Sequence, residues 1–107
     1  MPSRVNTEPS ERRETVRQAI AGELEDGELT TAELSTRIGI REKDVVGHLE
    51  HLQRSLPHAG KRLLVVAAEC RACGFVFRKR ERLSRPSSCP QCRADRIEPP
   101  RFRIVAA

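Results

Sequence analysis

Four cysteines in two close pairs are the residues of this sequence best suited to chemistry. They are Cys70, Cys73, Cys89 and Cys92. Two residues separate the cysteines of each pair, which lets the backbone curl until both sulfurs can meet one ion. Gly74 permits the left-handed turn that closes the first loop, and Pro90 favours a turn in the second. The fifteen residues between the pairs, 74–88, lie within the range typical of zinc ribbons.

This donor set predicts one structural zinc ion. Four thiolates fill a tetrahedral Zn²⁺ site completely, so no position remains for a catalytic water. Two disulfides would require an oxidising compartment, and nothing in the sequence indicates one. A third possibility is iron, because the pairs resemble those of rubredoxin, an electron carrier. Rubredoxins, however, are acidic and rich in core aromatics, and Arg93 stands where they carry glycine. The iron carrier is therefore the less favoured alternative.

Charge is distributed unevenly along the 107 residues. Residues 1–60 hold 8 basic and 11 acidic residues, a net charge of −3, whereas residues 61–107 hold 12 basic and 4 acidic residues, a net charge of +8. Four thiolates with one Zn²⁺ leave the second part near +6. A polyanionic partner for this part is expected. The basic residues Arg78, Lys79 and Arg80 lie between the cysteine pairs, where they either follow phosphates or form a solvated ribbon edge.

The helical signals lie in the first part of the chain. Apolar residues at helical spacing predict a first helix that ends at Gly27. The segment 30–33, Thr-Thr-Ala-Glu, is a capping box, and Leu29 and Leu34 occupy the positions of a hydrophobic staple. A short second helix should end at Gly39. A third should cover residues 42–55 without the usual small polar N-cap. Its exposed face is predicted to carry Lys43, Gly47, His48, Glu50, His51 and Arg54.

Two apolar segments flank the cysteines. Residues 63–68 form a continuous apolar run, and residues 102–105 follow two prolines, so both predict strands. Because they lie on either side of the cysteine module, they are expected to pair with each other.

The whole arrangement resembles a family of predicted transcriptional regulators in which a winged helix-turn-helix is fused to a rubredoxin-like zinc ribbon. The capped second helix, the flanking strands and both cysteine pairs carry the resemblance. It implies an α+β fold in which the ribbon emerges from the wing hairpin. The expected parts are a flexible tail at 1–9, a winged helix-turn-helix with the first wing strand at 10–68, the ribbon at 69–98, and the return strand with the C-terminus at 99–107.

The same resemblance implies double-stranded DNA as the partner. In that family the third helix enters the major groove. The expected DNA contacts are then Lys43, Gly47, His48, His51 and Arg54, with Arg78, Lys79 and Arg80 on the ribbon. An adaptor that docks on proteins of the transcription machinery is the alternative, because the helical part is acidic. Winged-helix regulators often dimerise, which makes a homodimer one candidate partner, but the sequence has no long heptad pattern and leaves the oligomeric state open.

Two further expectations concern catalysis and location. No nucleophile–base pair, glycine-rich phosphate loop or carboxylate dyad stands out, so an enzyme is not expected. The sequence starts without an apolar signal core and has no long apolar run, so a cytoplasmic location is expected.

Overall fold

The computed structural model describes residues 10–78 and 83–107, with side chains from residue 12 onward. The predicted tail, 1–9, and the basic residues Lys79 and Arg80 lie outside the described residues. The helices are α1 (Ser10–Asp26), α2 (Thr31–Ile38) and α3 (Glu42–Ser55), followed by a 3₁₀ helix at Leu56–Ala59. The strands are β1 (Lys61–Val66), β2 (Glu69–Cys70), β3 (Ile97–Glu98) and β4 (Arg101–Ala106). The described residues therefore form an α+β fold, with three α-helices and two small antiparallel sheets.

The main core lies between the three helices and the β1–β4 pair. Its buried members come from every one of these elements and also from the linker between the cysteine pairs. They are Ile20, Leu24, Leu29, Leu34, Val45, Leu49, Leu52, Leu56, Leu63, Leu83, Phe102 and Ile104. Helix and sheet thus bury their apolar faces against one another, the usual source of stability in a domain of this size.

The capping box of α2 is confirmed. Thr30 Oγ1 accepts a hydrogen bond from the backbone N–H of Glu33 at 3.1 Å, and the Glu33 carboxylate accepts one from the N–H of Thr30 at 2.9 Å. Leu29 and Leu34 are both buried in the main core, as the staple requires. Gly39 ends the helix in the left-handed conformation, with φ of 83°. Local bonds therefore fix both ends of α2, and Gly39 turns the chain toward α3.

Helix α3 has the predicted bounds, and its N-cap residue, Arg41, makes no side-chain cap hydrogen bond. The prediction that His48 is exposed is wrong: it is only 9% exposed, and the Arg17 Nε–H donates to its Nδ1 at 3.3 Å. His48 lies three residues after Val45 and four before Leu52, on the inward stripe of the helix. Helix position therefore outweighs the polar character of the imidazole, because Arg17 of α1 supplies a hydrogen-bond partner there.

The two flanking strands pair as predicted. β1 and β4 are antiparallel, with Leu63 opposite Ile104 and Val65 opposite Phe102, so β1 begins two residues before the predicted strand. Leu29 adds a bridge on the far side of β4, where it exchanges both backbone hydrogen bonds with Phe102 at 3.0 and 2.8 Å. The segment before α2 is thereby tied to the sheet.

The ribbon has a second, much smaller core. Its buried members are Ala68, Cys70, Cys89 and Ile97, with Phe75, Phe77 and Ala94 packed against them. The two phenylalanine rings meet edge to face, with centroids 5.0 Å apart. Strands β2 and β3 close this unit with only two residues each. Such a core is too small to hold the ribbon together without a further constraint.

None of the helices in the described ranges, 10–78 and 83–107, is long and apolar enough to cross a membrane.

We expect Thr30→Ala to lower the free energy of unfolding by about 1 kcal/mol, because it removes the acceptor for the Glu33 amide. Urea denaturation followed by circular dichroism measures the change. Thr36→Ala is the matched control, since Thr36 lies exposed in the same helix. Equal stability of the two variants would contradict the assigned cap.

Candidate metal centre and the basic surfaces around it

The four cysteine sulfurs converge on one point. All four lie within 4.8 Å of one another, and the Cys70–Cys92 and Cys73–Cys89 sulfurs are both 3.6 Å apart. A tetrahedron with zinc–sulfur bonds of about 2.3 Å has edges of about 3.8 Å. A disulfide would instead require about 2.05 Å. The separations therefore fit a single tetrahedral ion.

The two cysteine loops are built alike. In the first, the Cys70 N–H donates to the Phe75 carbonyl at 2.8 Å, and the Gly74 N–H donates back to the Cys70 carbonyl at 2.8 Å. In the second, the Cys89 N–H donates to the Ala94 carbonyl at 2.9 Å, and the Arg93 N–H donates back to the Cys89 carbonyl at 2.8 Å. Each loop thus curls around the first sulfur of its pair and delivers the second sulfur to the same point.

Both loops close through a left-handed residue at the same position, four residues after the first cysteine. Gly74 has φ of 82°, as predicted, and Arg93 has φ of 66°. Glycine adopts this conformation without steric cost, whereas for other L-residues it costs roughly 1–2 kcal/mol. Arg93, which stands where rubredoxins carry glycine, therefore forms the same turn but with a strained backbone. The rest of the metal site must stabilise that conformation.

The thiols influence one another electrostatically. Burial opposes ionisation of Cys70, but backbone N–H groups and neighbouring thiols prevail and lower its pKa to about 7. For Cys89, the same causes lower the pKa against burial. Cys73 moves the other way: the Phe75 N–H favours its thiolate, but desolvation and the other sulfurs raise its pKa to about 12. Four sulfurs this close ionise together only around a cation, which is what Zn²⁺ supplies.

Burial differs within each pair. Cys70 and Cys89 are each 1% exposed and belong to the ribbon core, whereas Cys73 and Cys92 lie at the surface. The first cysteine of each pair thus links the metal to the apolar core. The site has four protein ligands and no open position, so one structural Zn²⁺ fits it.

An ion bridge fastens the first cysteine loop to β4. Arg71 donates through Nε and Nη2 to the Glu98 carboxylate, and Arg101 Nη2 donates to its other oxygen at 3.2 Å. The hydrogen bonds from Arg71, then those from Arg101, lower the pKa of Glu98. In the sequence, Glu98 and Arg101 are three residues apart, and this spacing indicates their ion pair but not the one with Arg71.

The linker between the pairs packs back into the main core and also bonds to β3. Leu83 is 4% exposed and belongs to the main core, and Arg85 Nε donates to the Ile97 carbonyl at 3.1 Å. No local pattern in the sequence indicates this contact, because its partners are distant along the chain. Metal ligation at both ends of the linker and apolar packing in its middle therefore hold the ribbon to the helical part.

The residues predicted to contact DNA fall into three groups. Lys43, Gly47 and Arg54 lie exposed along one stripe of α3, and Arg78 is exposed on the ribbon. His51 is half-buried and His48 is buried, so neither is as accessible as the exposed face required. Lys79 and Arg80 are outside the described residues.

Comparisons with known proteins match the helical part and the zinc ribbon to two separate family models. Residues 15–64 match the family model described as PF0610-like, N-terminal. Residues 67–106 match the model described as the PF0610 rubredoxin-like zinc beta-ribbon domain. The zinc in that description agrees with the structural zinc predicted from the cysteines, rather than with iron.

One solved structure is similar over the full length. It is the solution NMR structure of protein PF0610 from Pyrococcus furiosus, with a TM-score of 0.74 and 29% sequence identity. The match covers 99% of this chain and 100% of that one. No curated protein matches the chain.

We expect Cys70→Ser to unfold the ribbon, because a hydroxyl is a poor zinc ligand and Cys70 lies in the ribbon core. Hydrogen exchange should show loss of protection at the Cys89 amide, which bonds within the other loop. Ser88→Ala is the control, because it leaves all four ligands in place. If the Cys70→Ser ribbon keeps its amide protection, the metal does not have a structural role.

Arg93→Gly should raise the free energy of unfolding of the zinc-loaded protein by about 1 kcal/mol, because glycine removes the left-handed strain. Gly74→Ala should lower it by a similar amount at the equivalent position. Urea titrations at constant free zinc compare both variants with the parent protein. A less stable Arg93→Gly would show that the arginine side chain contributes more than its backbone costs.

Proposed function

We propose that this chain, which joins a PF0610-like N-terminal domain to a rubredoxin-like zinc β-ribbon, is a cytoplasmic DNA-binding transcriptional regulator. Its helical part would position the molecule on duplex DNA. Its ribbon, held by structural zinc, would add a basic second contact.

The exposed stripe of α3 is the observation that carries the proposal. Lys43, Gly47 and Arg54 follow one another at four- and seven-residue steps, so they face solvent together. Neither cation is in an ion pair within the described part of the chain. A helix with a small residue between two free cations suits close approach to a phosphate-lined groove.

Two acidic residues of α3 are already engaged by the protein. Asp44 accepts hydrogen bonds from Arg41 at 3.1 and 3.2 Å, and this bonding lowers the Asp44 pKa. Glu42 accepts one from the Thr31 hydroxyl at 3.0 Å. The Arg41 cation therefore offsets the charge of Asp44, whereas Glu42 keeps its charge but lies off the stripe of Lys43 and Arg54. Glu50 is the acidic residue on the exposed stripe.

The placement of the strands also supports this function. α2, the Gly39 turn and α3 have the order of a helix-turn-helix, and β1 follows α3 after the 3₁₀ helix. β4 returns beside β1, so the pair is the hairpin of the proposed winged helix. The zinc ribbon occupies the place of the wing tip. Arg78, and by proposal Lys79 and Arg80, would then meet the DNA backbone beyond the groove.

A protein-docking adaptor is the second candidate. The net charge of −3 in residues 1–60 favours it, because a wholly acidic helical surface would be repelled by DNA. The same ribbon would then bind a protein of the transcription machinery rather than a nucleic acid.

Binding of the zinc-loaded protein to a labelled random duplex tests the proposal. We expect affinity to fall steeply with salt, because each cation that contacts phosphate releases counterions. Arg54→Ala should reduce the slope of log affinity against log salt by about 1. Fluorescence anisotropy at several salt concentrations provides both values.

Gln53→Ala is the matched control, since Gln53 is the exposed neighbour of Arg54 on the same helix but carries no charge. Arg78→Ala measures the contribution of the ribbon in the same assay. Absence of binding at low salt would overturn DNA recognition and favour the adaptor, without affecting the zinc assignment.

A further inference from the structure

Strand β1 has an unpaired edge among the described residues. Leu29 exchanges both backbone bonds with Phe102, so Phe102 directs its N–H and C=O away from β1. Its partner across the pair, Val65, is therefore in a non-hydrogen-bonded position and directs its own groups outward. Lys61 and Leu63, at two-residue steps before Val65, likewise direct their backbone N–H and C=O groups away from β4. Gly60 and Ala107, one step beyond Lys61 and Ala106, should then be a hydrogen-bonded pair. The Ala107 N–H does donate to the Gly60 carbonyl, at 2.9 Å.

No described backbone group takes up these outward bonds, since β1 has β4 as its one neighbour in the sheet. The edge is also apolar. Val65 and Val66 are 37% and 38% exposed and are the large hydrophobic side chains left exposed in the described part of the chain. An edge strand with free backbone groups and exposed β-branched residues is a template for another strand.

The charges indicate what kind of strand fits. Lys61 is paired with Glu25 of α1, so Arg62 carries the one uncompensated charge of β1 within the described structure. Both cations lie at the start of the strand, and its second half is apolar. The edge is thus nearly neutral rather than strongly basic, which favours a neutral apolar strand over an acidic peptide.

A second copy of β1 meets these requirements. In an antiparallel pair centred on Leu63, each Leu63 lies opposite its counterpart, Lys61 lies opposite Val65, and Arg62 lies opposite Leu64. No like charges are directly opposed, and the outward groups of Lys61, Leu63 and Val65 face one another. Such a pair has the two-fold symmetry that closed dimers require.

We propose that the protein forms a two-fold dimer through antiparallel pairing of β1 with β1 of a second copy. The two sheets then join into one, with the β1 strands at its centre and Val65 covered. This inference does not rest on DNA binding, because it is tested without nucleic acid.

Sedimentation equilibrium of the full zinc-loaded chain tests the dimer. We expect the mass to rise from monomer to dimer with concentration and to depend little on salt, since backbone bonds and apolar contacts form the interface. Val65→Pro removes an outward donor but no bond to β4, and a two-fold pair loses two hydrogen bonds. The dissociation constant should therefore increase at least roughly tenfold.

Val65→Thr is the matched control, because it keeps both the N–H and the branched side chain and should still dimerise. Hydrogen exchange of the unaltered protein gives a readout that does not depend on how proline is tolerated. The Leu63 and Val65 amides should gain protection with concentration, whereas the Leu64 amide, bonded to β4, should be protected throughout. A parent protein that stays monomeric, or edge amides that exchange independently of concentration, would overturn the proposal.

Discussion

The convergence of four sulfurs on one point is the constraint on which the rest of this structure depends. Within residues 67–78 and 83–100, the described part of the ribbon, the core has four buried residues, and two of them are the ligands Cys70 and Cys89. Its strands contribute two residues each, so neither packing nor sheet pairing suffices to order it. Zinc binding supplies free energy that exists only when both loops are folded. The left-handed Arg93 shows the same dependence, because an otherwise unfavourable backbone conformation persists where the ligands fix it.

This constraint also acts on the helical part. The linker that joins the two cysteine pairs contributes Leu83 to the main core, and the first cysteine loop is joined through Glu98 to Arg101 of β4. Loss of the metal would release both ends of the linker and favour exposure of an apolar site among the helices. The helical part and the ribbon have separate cores, yet metal binding stabilises both of them through the linker. Any surface formed by α3 and the ribbon together therefore relies on the metal for its geometry.

Features set by neighbouring residues could be predicted from the sequence, and features set by distant ones could not. The cysteine spacing predicted the metal centre, and the capping box predicted the start of α2, because both are local. The flanking strands followed from their apolar runs. His48 is polar, which predicts an exposed position, but its helical phase puts it beside Val45 and Leu49 and buries it. Leu83 had no signal at all, since a single leucine in a basic linker indicates nothing until the helices are placed around it.

Net charge alone gives a misleading picture of the helical part. Its value of −3 counts every carboxylate equally, but the protein pairs Glu23 with Arg37 and Asp44 with Arg41. At physiological ionic strength, charges are screened over about 8 Å, so an approaching polyanion responds to the nearest groups. On the exposed stripe of α3 these include Lys43 and Arg54, with Glu50 between them. The local arrangement, more than the total, decides whether this helix attracts phosphate, and it places the cations toward the two ends of the helix with a glycine between them.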